Sequence, residues 1–201
     1  VINQTDKIKM KTFKELLIEL NACKEAKDWA NNKTIEQVVS ECHRGDWLLW
    51  LGKKINVPLR PFTLAKARCT KTVIRLMKDQ RSIDAVNLAE KFGLTDEVSE
   101  DDLTNSADAA SAAADYAAAD SAAYAADASA AHAAYVAAYA AYTVAYASSA
   151  ASAAYAAYAA DASADASART KNEKQTADIC RETIGGIIID LVNDRLNKTN
   201  S

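Results

Sequence analysis

Glycine and proline are scarce in this chain, at 5 and 2 of 201 residues. That shortage removes the punctuation a turn-rich β protein needs and favours helices. Histidine is limited to His43 and His132. No GxSxG, P-loop or HExxH pattern occurs, so the sequence supports no nucleophile elbow, phosphate cradle or zinc-protease site. His132 stands among alanines and reads as a helix-surface or packed residue rather than a catalytic base. The four cysteines, Cys23, Cys42, Cys69 and Cys180, form no CxxC. The neighbours Cys42 and His43 are poorly spaced for one metal, and each cysteine, set in an apolar helical pattern, reads as a small buried thiol. No metal or cofactor is expected, and the chain is read as a non-enzyme. The opening VINQTDKIK lacks the apolar core of a secretory leader, and Met10 begins a more typical start, so residues 1–9 are read as a disordered extension or alternative start. The expected location is cytoplasmic.

What the chain has in abundance is alanine. Residues 107–168 are more than half Ala and contain no Gly, Pro, Lys or Arg. Alanine has the highest helix propensity and loses no side-chain entropy in a helix, so this tract is predicted to be helical. As one rod it would extend about 93 Å at ~1.5 Å per residue. The remaining chain cannot cover such a rod, so the tract either folds back on itself or projects and pairs with another chain. Tyr124, Tyr135, Tyr139, Tyr142 and Tyr146 share a stripe, Tyr155 and Tyr158 fall on the other side, and the phase slips at Ser148-Ser149. That pattern suggests two arms with a turn or kink between them. The closely spaced Asp115, Asp120 and Asp127 argue against a membrane span.

The net charge of −3 conceals a division. Residues 1–93 carry 18 Lys/Arg against 11 Asp/Glu, whereas residues 94–168 carry 11 acids and no base. Either the basic part packs near the acidic arms or one face is kept for a charged partner.

Along the chain, Phe13, Leu16, Leu17 and Leu20 mark a first helix over residues 11–22. A connection carrying Trp29 follows. Thr34 and Gln37 form a capping-box pattern before the next helix. Asp46 is the expected N-cap of DWLLWLGKKI, in which Trp47 and Trp50 share a face; with Trp29 they are read as core anchors, an exposed aromatic binding surface being the alternative for the pair. Val57 to Pro61 reads as a stiff connector. A helix is predicted over 63–78, with Ala65, Cys69, Val73, Leu76 and Met77 on one side and Arg68, Lys71, Arg75 and Lys78 on the other. That basic face reads as solvated or turned to the acidic arms; no motif supports nucleic-acid readout. A further helix over 79–92 should stop at Gly93. Ser99 and Asp102 can cap the Ala tract. The last segment is amphipathic, and Gly185-Gly186 is expected to kink or divide it. The predicted fold class is all-α: a helical bundle with an Ala-rich long helix or helical hairpin. It is read as one domain over 10–201, with amphipathic helices over 10–98, Ala/Tyr/Asp-rich arms over 99–168 and C-terminal helices over 169–201.

One ordered set of segments carries a resemblance. Trp29 is followed by CHRGDWLLWL (42–51), AKARCTKTVIRLM (65–77), Asp79 with Arg81-Ser82, Ala89-Glu90, the Ala/Tyr/Asp tract and ADICRETI (177–184). In this the chain resembles a family of alanine-rich, all-helical bacterial and phage-associated proteins assigned as immunity proteins of polymorphic toxin systems. The resemblance spans residues 11–184 and leaves the tail from Gly185 to Ser201 outside it. It implies a non-enzymatic protein that sequesters a toxin or another charged effector, and it carries no catalytic residue. Asp115, Asp120, Asp127, Asp161 and Asp165 are the acidic candidates for partner binding, against simple solubilisation of a poly-Ala helix. Arg68, Lys71, Arg75 and Lys78 are the basic candidates. The alternative is a structural module in which Ala-rich arms pair between chains as a homo-oligomer. Ice binding is disfavoured, since the tract holds only Thr143 and bulky Tyr interrupts its face.

Overall fold

The computed structural model describes residues 11–110 and 166–198. The stretch 111–165, with Asp115, Asp120, Asp127, Asp161, Asp165, His132 and the tyrosine stripe, lies outside the described residues, as do residues 1–10. The architecture is an all-α bundle with no strand among the described residues. Its elements are α1 (Phe13–Glu19), α2 (Lys24–Trp29), α3 (Ile35–Glu41), α4 (Gly45–Lys54), α5 (Leu59–Lys71), a 3-10 turn (Ile74–Leu76) and α6 (Gln80–Leu94). Residues 100–110 are helical (α7), and α8 runs over Ala166–Lys198.

The long α8 is the spine on which α1, α3, α4 and α5 pack. Cys180, Ile184, Ile188 and Val192 are its fully buried residues in the main core, beside Leu16, Leu48, Leu49 and Ala65. A second cluster joins Ala67 of α5, Ala89 and Phe92 of α6, and Val98, Leu103 and Ala107 around α7. Burying each of these larger aliphatic side chains contributes ~1.5–3 kcal/mol.

Short helices here depend on their ends. Thr12 and Glu15 make a reciprocal capping box on α1, Thr34 and Gln37 make the predicted one on α3, and Ser99 and Asp102 make the predicted one on α7. With so little glycine, asparagine supplies the left-handed stops. Asn21 (φ 57°) follows α1 and Asn56 (φ 63°) follows α4. In both, the next residue returns a backbone N–H to the helix, Ala22 to the Leu17 carbonyl and Val57 to the Gly52 carbonyl, both at 2.9 Å. This is the Schellman arrangement. Asparagine adopts the left-handed region at less cost than alanine. Asn56→Ala is therefore expected to lose about 1 kcal/mol of stability and Asn56→Gly to be neutral or stabilising, measured by urea unfolding.

Several expected boundaries are corrected. Trp29 sits in a helix, α2, because Cys23, exposed rather than buried like the other three cysteines, serves as its N-cap, its sulfur accepting from the Ala26 N–H at 3.5 Å. Asp46 does not cap α4. Its carboxylate turns to the Arg44 guanidinium, at 2.8 and 2.6 Å, and Arg44 takes the N-cap position with no side-chain cap. The connector 57–61 yields to α5, which starts at Leu59. Pro61 falls in the first turn, where a missing N–H has no helical partner to lose. α5 then ends at Lys71 rather than Lys78. The Thr72 hydroxyl donates to the Cys69 carbonyl at 2.7 Å, a local bond that competes with helix continuation. Gly93 lies inside α6 rather than stopping it; a Cβ there would meet Leu64 Cβ at 2.5 Å, so the glycine admits α5. The C-terminal segment is one continuous helix through Gly185-Gly186. Gly185 lies where Val39 approaches to 3.0 Å of a notional Cβ, while Gly186 faces open space.

Candidate functional site

Two segments far apart in sequence, 42–51 and 177–184, meet in the bundle. Arg181 of α8 donates from Nε to the Val39 carbonyl at 2.9 Å and from Nη2 to the Cys42 carbonyl at 2.8 Å. These bonds satisfy acceptors at the C-terminal end of α3. Cys180 lies against the Gly45 carbonyl, and Gly45 admits Thr176 so closely that α4 and α8 approach backbone to side chain. A second arginine works the same way elsewhere. Arg60 donates to the carbonyls of Phe92 and Thr95 and lies 4.4 Å over the Phe92 ring. It thereby fixes the end of α6 to the start of α5.

The α3–α4 junction, held in this way, presents an aromatic cluster. Trp29 of α2, His43 of the junction and Trp47 of α4 form a triangle with ring centroids 6.1, 5.9 and 6.3 Å apart, in edge and tilted geometry. Such pairs add ~0.5–1.5 kcal/mol beyond area burial. Both indoles are half-buried and packed on the core, while His43 is exposed. Beneath them an apolar slot is lined by Phe13, Leu17, Val38 and Leu51 together with Trp29, Trp47 and Trp50. The anchors are thus two-sided: one edge of each indole meets the core and the other meets solvent.

Cations overlie each indole. Lys33 Nζ is 5.2 Å from the Trp29 ring, Arg44 Cζ 5.0 Å from Trp47 and Lys54 Nζ 6.0 Å from Trp50. Two of the three are also pinned. Lys33 pairs with Glu41 at 2.5 Å, and Arg44 pairs with Asp46 and reaches Glu173 at 4.0 Å. Hydrogen bonding to Asp46 holds the Arg44 guanidinium more firmly charged than usual. The result is a surface of indole and imidazole rings on which two of the overlying cations, Lys33 and Arg44, are held by ion pairs.

The basic candidates are placed differently from one another. Arg68 and Lys71 both turn to Glu90 of α6, Arg68 at 3.9 Å. Arg75 lies in the 3-10 turn and Lys78 beyond it, both exposed. The chain's turn at Thr72-Val73 keeps the four from sharing one helix face. Among the described residues, no group of three or more His, Cys, Asp or Glu could hold a metal ion. None of the described helices is long and apolar enough to cross a membrane.

Sequence reasoning passed over His43 as a surface partner, Arg44 and Lys33 as stacking cations, and the fully buried Lys66. Lys66 follows Phe62 by four residues and precedes Cys69 by three, which places it on the buried stripe of α5. That spacing was the available signal. Comparison of the chain with protein-family models, with curated proteins and with solved structures finds no match.

Proposed function

We propose that this chain is a non-enzymatic binding protein of immunity type, which sequesters a toxin or another charged effector and grips it through the Trp29–His43–Trp47 face. The observation that carries the reading is the contiguous aromatic triangle with Lys33 and Arg44 stacked on it. Trp and Arg are among the residues that dominate the energetic centres of protein interfaces. Here the ion pairs to Glu41 and Asp46 order the cations in the free protein, so little side-chain entropy is left to lose on binding. The immunity assignment draws on the resemblance carried by the DWLLWL, Ala/Tyr/Asp and ADICR segments.

The test is affinity capture from the native host with the wild-type chain, Trp47→Ala and His43→Asp as parallel baits. His43 is exposed, so its substitution leaves the core intact. The expected result is a discrete protein recovered by the wild type and reduced at least about tenfold with either variant. Equal recovery by all three baits, or none by the wild type, would reject the reading.

A further inference from the structure

Cys69 of α5 and Cys180 of α8 bring their sulfurs to 3.6 Å, although they stand 111 residues apart in sequence. Both are free thiols with no exposed surface. The Cys69 thiol also lies 3.6 Å from the Thr176 carbonyl, and Cys180 lies 3.6 Å from the Gly45 carbonyl. A disulfide needs sulfurs about 2.05 Å apart, so the pair must close by roughly 1.5 Å. The other two thiols are engaged elsewhere, Cys42 with the Arg44 carbonyl at 3.3 Å and Cys23 with the Ala26 N–H.

We propose that Cys69 and Cys180 form an intramolecular disulfide site, closed by hydrogen peroxide, that staples α5 to α8 and completes a covalent ring containing residues 111–165. The chemistry balances as a two-electron oxidation. One sulfur attacks a peroxide oxygen, the O–O bond breaks, and a sulfenic acid and one water result. The second sulfur then attacks the sulfenic sulfur, the S–S bond forms, and the S–O bond breaks. The departing hydroxide takes the second thiol proton and leaves as water. Two thiols and one peroxide thus give one disulfide and two waters.

Access sets the rate. The hydrogen bond with Cys69, together with burial, holds the Cys180 thiol well above its ordinary range, so thiolate is rare while the core is shut. Oxidation therefore proceeds when α8 lifts from α5, and the closed ring then prevents further lifting. This inference does not depend on the binding face, because neither sulfur belongs to it.

When the full-length chain is treated with hydrogen peroxide under native conditions, proteolysis is expected to yield a peptide joining Cys69 to Cys180, about 2 Da lighter than its two reduced halves together. Closing a ring of this length should raise Tm by roughly 10 °C, and dithiothreitol should reverse the shift. Cys42→Ser should keep the link, and Cys69→Ala should lose it. Exposed Cys23 gauges the dose. If peroxide sufficient to oxidise Cys23 leaves Cys69 and Cys180 reduced in the folded wild type, the proposal fails. It fails equally if Cys180 is joined to Cys42, or if the link lowers Tm.

Discussion

Gly45→Ala is expected to destabilise the protein by about 3 kcal/mol, while Gly186→Ala, in the helix that faces Gly45, is expected to stabilise it by up to about 1 kcal/mol. The two glycines differ in what a methyl group would meet. At Gly45 a Cβ would lie 2.5 Å from Thr176 Oγ1, 2.7 Å from its Cβ and 2.7 Å from its carbonyl carbon. The last is backbone, so no side-chain rotation relieves it, and α4 must move away from α8. That movement loosens the packing of Leu48 and Leu49 on the spine. At Gly186 nothing lies within 4 Å, and alanine simply replaces a poor helix former with the best one. Urea unfolding of both variants measures the contrast in one experiment. A Gly45→Ala midpoint equal to the wild type would mean that α4 and α8 do not approach as closely as described.

The second large effect belongs to Lys66. Its side chain is fully buried, with Nζ 5.4 Å from the Phe62 ring. Burial first, and the charge of Lys53 second, pull its pKa down from 10.5 to about 7. Between those two values the unfolded chain holds a proton that the folded chain has released. Stability therefore rises with pH across that window, at up to about 1.4 kcal/mol per pH unit from this one group. Below about pH 7 the lysine is protonated in both states and the full cost of burying charge is present. Lys66→Met removes the effect while keeping most of the apolar stem. The stability of the variant relative to the wild type should fall by about 2–3 kcal/mol between pH 7 and pH 9. Denaturant unfolding of both proteins from pH 6 to 9 tests the claim, and a difference that does not change with pH would refute it.

What the sequence reveals and what it hides follow from interaction range. The capping boxes at Thr34 and Ser99 were legible because both partners lie within three residues and only short polar side chains can satisfy those N–H groups. The all-α class was legible from helical periodicity and the shortage of glycine. Helix α2 was not, because its cap is a thiol and six residues show too little periodicity. The Arg44–Asp46 pair competes with a cap that the sequence favours, and nothing local decides between a salt bridge and a helix end. Gly45, Gly93 and Gly185 look like breakers in a string of letters, yet each marks a neighbouring helix passing close by. The partnership of Cys69 with Cys180 spans 111 residues, and no local pattern encodes it. At the candidate site, Trp29, Trp47 and Trp50 were singled out as anchors, and all three pack against the core with part of their surface left open. His43 joined them only when the α3–α4 junction was seen folded, under the two bonds from Arg181.

Hydrogen–deuterium exchange on the complex with the captured protein tests the central claim most directly. The account predicts new protection concentrated in α2 and across residues 42–51, around Trp29, His43 and Trp47. Protection confined to α5, α6 and the segment carrying Arg75 and Lys78, with residues 29–47 unchanged, would contradict it.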